Sequence, residues 1–230
     1  MTWTNAKIKK RYVWNNLVRP VPFTPGANTV AYYKFDWNLN DSSWNSRNLS
    51  MYTWTFTYWT TSWWAKYIQT SSSNAANNLT LPLNWDSYTV QWWVNFWEFR
   101  QTGSQQAILM DFVWNSWWAR FWSWWWWFQP VCNVWSDVWL SWSINTWYLF
   151  TVVIKNHYIY WYVNWELKRS WAMTQYSWNS WTLVINWISD KSSTWYRWAW
   201  KLSELIFESR DWTQSEIQDY YNKTKSNYWL

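Results

Sequence analysis

Turns limit what a chain of short strands can fold into, and this chain has almost no glycine with which to make them. Of 230 residues, 2 are Gly (Gly26 and Gly103) and 35 are Trp. Average usage near ~7% would give about 16 glycines. The tryptophans stand where turn glycines are expected. Trp37, Trp85, Trp165 and Trp187 follow Asp or Asn, and Trp44, Trp63, Trp117, Trp142 and Trp178 follow Ser. Asn-Gly and Asp-Gly are strong hairpin signals because a type I′ turn needs positive φ at both central residues. An indole on a Cβ is disfavoured there. Residues 122–127 read WSWWWW. Four consecutive indoles cannot all be buried, and exposed ones invite aggregation. With glycine in their place the run is an ordinary flexible loop. The pattern is that of a codon that one genetic code assigns to tryptophan and another to glycine. Most Trp are therefore read as glycine in the native chain, the alternative being a designed or naturally Trp-rich protein. Trp93 and Trp147, at apolar slots of strand patterns, and Trp212, ahead of a helix, are read as genuine. Residues keep the letters of the sequence throughout.

Composition excludes several classes. One Cys leaves no disulfide framework or Cys-based zinc site, and one His leaves no His-rich metal site. No stretch of 18 uncharged apolar residues is present, so no membrane insertion is expected. The start, MTWTNAKIKKRYVW, is basic but lacks an apolar core, so it does not read as a secretory signal. The net charge of +6 is modest and partly held by Lys7, Lys9, Lys10 and Arg11. Basic aromatic surfaces can stack on bases, but here the basic cluster is confined to the N-terminus. No nucleic-acid partner is expected.

Residues 1–28 read as an N-terminal arm and Pro-rich linker, because Pro20, Pro22 and Pro25 forbid regular structure. Residues 29–230 read as one domain. Strands are expected at 29–35, 49–58, 65–70, 87–99, 107–113, 147–155, 158–163, 166–169, 182–188 and 201–208, from period-two alternation or short apolar runs. Residues 36–48, 71–79 and 114–127 read as loops. A helix is expected at 213–225, with Thr213 as N-cap and Glu216 completing a capping box. Ile217, Tyr220 and Tyr221 share one face of it. Many strands, frequent turns and one terminal helix predict an all-β, two-sheet antiparallel jelly-roll sandwich with a short C-terminal helix.

Three segments carry a resemblance. YYKFDWNLNDSSWNSRNLS (32–50), WYLFTVVIKNHYIYWYVNWELKRS (147–170) and KLSELIFESRDWTQSEIQDYYN (201–222) resemble the opening strand, central hairpin and closing strand–helix of laminin-G-like jelly rolls. These belong to the concanavalin A-like lectin/glucanase superfamily. The departures at those motifs are Trp where the family has Gly. The segment KIKKRYVWNNLVRP (7–20) resembles the short strand that opens phage tail and virion proteins.

Candidate chemistry is sparse. Glu204 and Glu208, four apart on one strand, would lie about 13 Å apart, too far for a retaining glycosidase pair. They read as a solvent-facing strand edge. Glu98 and Asp111 lie on different strands and could meet only through the fold. His157 reads as an exposed turn residue and Cys132 as a buried thiol. Asp36, Asn38, Asn40 and Asp41 form an oxygen-rich cluster that resembles the start of a calcium loop. The pattern then fails, with Asp41 at the glycine position and Arg47 at the closing glutamate. Calcium and Asx-turn capping are both open for it, and calcium near such loops is what the resemblance implies.

The resulting expectation is a non-catalytic binding module for glycans or a host cell surface. It would be carried in many copies on a phage-like particle, virion-borne or extracellular. A purely structural fibre or decoration domain and a glycoside hydrolase are the alternatives.

Overall fold

A computed structural model describes residues 23–51, 57–61, 65–69, 76–82, 87–98, 110–113, 119–124, 127–132, 140–141, 143, 145–172, 180–185 and 199–228. The expected arm lies almost wholly outside them, as do Trp85 and Trp187. Among the described residues the chain is an all-β antiparallel sandwich with a short C-terminal helix.

In chain order the strands are β1 (Thr29–Tyr33), β2 (Ser50–Met51), β3 (Thr57–Thr60), β4 (Lys66–Gln69), β5 (Ala76–Pro82), β6 (Ser87–Glu98), β7 (Met110–Val113), β8 (Ala119–Trp124) and β9 (Trp127–Cys132). They continue with β10 (Leu140–Ser141), β11 (Trp147–Lys155), β12 (Tyr158–Val163), β13 (Glu166–Ala172), β14 (Ser180–Ile185) and β15 (Ala199–Glu208). Helix α1 (Gln214–Thr224) and a 3-10 turn (Lys225–Tyr228) close the chain. Among the described residues the largest sheet runs β13-β12-β11-β6-β15-β4-β3, with β1 also paired to β15. A second sheet runs β2-β5-β14-β7, and β10-β9-β8 form a small third one.

The central hairpin forms where alternation places it. Lys155 faces Tyr158 across the two-residue turn Asn156-His157, and β11 pairs β6 from Trp147↔Asn95 to Lys155↔Ser87. The two turns of β11-β12-β13 are left-handed at both central residues: φ is 50° and 61° at Asn156-His157, and 50° and 79° at Asn164-Trp165. That pair of angles marks a type I′ turn, whose backbone twist matches the strands it joins. Trp165 thus has the positive φ expected of it. It is half-buried and packed against the core rather than exposed. Trp37 also has positive φ (61°) and is 58% exposed. Holding a non-glycine residue in this region costs about 1 kcal/mol or more. Trp37→Gly is therefore expected to raise stability by about 1 kcal/mol in urea denaturation. No gain would mean that its contact with Tyr58, at 6.2 Å between ring centroids, outweighs the strain.

Two loop expectations are corrected. Residues 119–124, within the supposed loop 114–127, form β8 and pair with β9. Residues 76–79, assigned to a polar loop, begin β5, which pairs β14. In both segments a cross-strand partner outweighs a weak local pattern.

One face of the large sheet carries α1. Tyr32, Trp93, Trp147, Leu149, Val153, Tyr162 and Ile206 bury there against Trp212, Ile217, Tyr220 and Tyr228. The helix starts as the sequence predicts. Thr213 accepts from the Glu216 backbone N–H, and the Glu216 carboxylate accepts from the Thr213 backbone N–H at 2.8 Å. The three described tryptophans read as genuine are all buried: Trp93 at 0%, Trp147 at 5% and Trp212 at 5% exposure.

Candidate functional site

The oxygen-rich loop after β1 is held by its own side chains. The Asp41 carboxylate accepts from the backbone N–H of Tyr32 (2.9 Å), Ser43 (2.8 Å) and Arg47 (2.9 Å), and from the Ser43 hydroxyl (2.7 Å). Asn38 bonds within the loop, donating to the Asp36 carbonyl and accepting from the Asn40 backbone N–H. The Asp36 carboxylate pairs with Lys66. A hard divalent cation needs six to eight oxygen ligands facing one point. Here one carboxylate is filled by four donors and the other faces an ammonium, so the donor set does not fit calcium. Among the described residues no group of three His, Cys, Asp or Glu could hold a metal ion. The loop reads as an Asx-stapled turn.

The Glu204 and Glu208 reading is corrected. Strand β15 is not an edge, because β6 lies on one side and β4 and β1 on the other. Glu208 is 3% exposed. It accepts from the Thr29 hydroxyl (3.0 Å), Arg210 Nε (2.7 Å) and Trp212 Nε1 (2.5 Å). The register slips between Ser203 and Leu205, and Glu204 sits in that bulge with φ of 46°. Its carboxylate accepts from Tyr220 of α1 (2.5 Å) and Tyr32 of β1 (3.4 Å). Next to it, the Ser203 and Tyr228 hydroxyls bond each other at 2.8 Å. The two carboxyls are thus separate structural anchors. The apolar run between them, Leu205–Phe207, with Leu202 ahead of it, is the signal for a covered central strand.

Burial raises the Glu204 carboxyl above the usual range, against the lowering effect of the Tyr220 and Tyr32 hydroxyls and of Lys34. Burial also raises the Tyr32 phenol, with the Glu204 charge adding to it. Tyr220 and Tyr228 are raised well above the ordinary phenol by the same two causes. A carboxyl raised on folding stabilises the protonated protein, and that contribution is lost as pH rises through the elevated value. Glu204→Gln is therefore expected to flatten the stability–pH curve on the alkaline side of the ordinary carboxyl range. Equal pH slopes for the two proteins in urea denaturation would show that Glu204 titrates normally.

Glu98 and Asp111 fall on different sheets. Glu98 pairs Ala199 in the large sheet and Asp111 pairs Val184 in the four-stranded one. Their side chains, and that of Cys132, lie outside the description. His157 is exposed in its turn, as expected. At the same end of β11, the Lys155 ammonium lies 2.6 Å from Asp211. Its hydrogen bond holds the Asp211 carboxyl below the usual range.

No family profile matches the chain, and no curated protein matches its sequence. Solved structures do share the fold. Domain 4 of AbnA, a GH43 extracellular arabinanase from Geobacillus stearothermophilus solved with arabinotriose, aligns with a TM-score of 0.66 at 16% identity. It covers 84% of this chain and 98% of that domain. Trypanosoma rangeli sialidase aligns with a TM-score of 0.66 at 11% identity, over 88% of this chain and 33% of the sialidase. The binding domain of botulinum neurotoxin serotype D aligns with a TM-score of 0.56 at 13% identity, over 85% and 51%. The chain therefore spans nearly the whole of the arabinanase domain, but only a third of the sialidase and half of the toxin domain. At these identities the likeness shows a shared β-sandwich fold. Among the described residues no helix is long and apolar enough to cross a membrane.

Proposed function

We propose that this chain is a non-catalytic carbohydrate or cell-surface binding module, extracellular or virion-borne, presented in many copies by a phage-like particle. The observation that carries the non-catalytic reading is the engagement of carboxylates among the described residues. Glu204, Glu208, Asp41, Asp211 and Glu216 each bond backbone, hydroxyl, indole or basic groups that hold the fold. A retaining glycosidase needs two carboxyls about 5–5.5 Å apart across the scissile bond, and these five are committed elsewhere. The scaffold is similar to a domain solved with a bound arabinotriose, which favours a sugar ligand over a bare structural role. Fold alone does not assign function. The test is co-sedimentation with insoluble polysaccharides, coupled to a reducing-sugar assay on the supernatant. Binding without sugar release is expected. Release that Glu98→Gln or Asp111→Asn abolishes would make the protein a hydrolase.

The decoding of tryptophan as glycine belongs to the same proposal. Positive φ at Trp37 and Trp165 supports it, and the phage context would supply the altered code. An intact-mass spectrum of the native protein reads it directly, since each exchange removes one indole side chain. A mass equal to the 28.9 kDa of the written sequence would overturn it.

A further inference from the structure

The large exposed hydrophobic residues among those described fall into two groups. One is Trp37, Trp44 and Trp59, whose identity depends on the genetic code. The other, Tyr158 and Leu167, does not. Strand β12 carries Tyr158, Tyr160 and Tyr162 on the face that α1 covers, as the period of two requires. Tyr162 is buried under the helix cluster, Tyr160 is half-buried beside it, and Tyr158 is 47% exposed beyond it. The rings of Tyr158 and Tyr160 lie 6.4 Å apart, tilted by 35°.

What surrounds these rings leaves them open. On β13, the last strand of this sheet among the described residues, Ala172 lies opposite Tyr158 and Ser170 opposite Tyr160. Both are small and exposed, so the edge side of the rings is a low shelf rather than a wall. On the other side Lys155 lies opposite Tyr158, and Asp211 holds both the Lys155 ammonium and the Ser87 hydroxyl. The shelf is therefore two phenol rings in a row with a polar rail along one side. The strands beneath it pair β11 to β6 without a register shift.

We infer that Tyr158 and Tyr160, with the Lys155–Asp211 pair, form the binding platform for a short neutral oligosaccharide. This rests on the proposed function and names its site. Sugars present apolar C–H faces that stack on aromatic rings, and hydroxyls that take directional bonds from charged and phenolic groups. The size also fits. A stable protein partner buries about 800 Å² on each side, far more than two rings and a leucine supply. Tyrosine is held by two torsions, so fixing it on the ligand costs little entropy.

The test is a glycan microarray of neutral plant, bacterial and animal oligosaccharides, probed with the full chain and with Tyr158→Ala, Tyr160→Ala and Tyr158→Phe. Thermal unfolding confirms that each variant folds. If the full chain binds, each alanine variant is expected to lose roughly tenfold in affinity, the loss of one stacking contact. Tyr158→Phe, which keeps the ring, should retain most of it. Binding by the full chain that the alanine variants keep unchanged would overturn the platform and leave the proposed function standing. Failure of the full chain to bind any glycan would overturn both.

Discussion

Glu208→Ala is expected to lower stability by about 3 kcal/mol, the lower end for breaking a buried charged network by removing one partner. Glu208 ties the start of β1, 179 residues away in sequence, to the segment that joins β15 to the helix. Its carboxylate takes the Thr29 hydroxyl at the start of β1, the Arg210 guanidinium after β15, and the Trp212 indole N–H ahead of the helix. Arg210 extends the network to Glu216 (2.6 Å) and lies over the Trp212 ring at 5.3 Å from its centroid. Alanine removes all three acceptor contacts and leaves the Trp212 N–H buried without its partner. Arg210 is about one-third exposed, so water recovers part of that loss, and this places the value at the low end. Glu208→Gln keeps one acceptor oxygen and should cost less. Urea denaturation with an unchanged m-value reads the effect as stability rather than as a change in compactness. A cost under about 1 kcal/mol would place the anchor of α1 elsewhere.

Trp93→Ala is expected to cost about 3–5 kcal/mol, the range for truncating a buried aromatic. Trp93 is fully buried on β6, beneath the helix. Its ring stacks on Tyr228 at 4.1 Å and on Tyr221 at 5.8 Å. Its indole N–H has no hydrogen-bond partner among the described residues, so the loss is one of packing and area, not of a bond. Because both stacking partners lie in the closing helix and 3-10 turn, the cavity should loosen that segment first. Hydrogen exchange should show α1 opening at lower free energy while the β11–β12 hairpin keeps its protection. Uniform acceleration of exchange would mean that the helix and sheet unfold as one unit.

What was legible in the sequence follows the range of the interactions involved. Strands β11 and β12 fall at 147–155 and 158–163 as read, because their alternation and the Asn156 turn are local. The helix start is likewise local, since Thr213 and Glu216 satisfy each other's backbone within one turn. The edge reading of Glu204 and Glu208 failed because strand position in a sheet is non-local. β15 is central only because β6 and β1, more than a hundred residues earlier, flank it. The bulge at Glu204 is set by the same distant pairing. The run at 119–124 (ARFWSW) read as a loop because it leads into four adjacent indoles, 124–127, that carry no periodicity, and its strand is defined by pairing with β9. At the oxygen-rich loop the residue types favoured turn capping and left calcium open. Only the direction of the Asp41 hydrogen bonds separates these, and no spacing rule encodes it.

The central claim is that this sandwich binds sugars without cleaving them. Single lectin-like sites are weak, and attachment needs many copies to gain avidity. The most direct measurement is therefore a comparison on one glycan surface of the monomeric chain and a tetramer built on a flexible tag. The account predicts weak, fast-dissociating binding by the monomer. For the tetramer it predicts binding tighter by about a hundredfold or more on the same glycans, with no sugar released. Absence of binding by both forms would contradict it and leave the chain a structural domain.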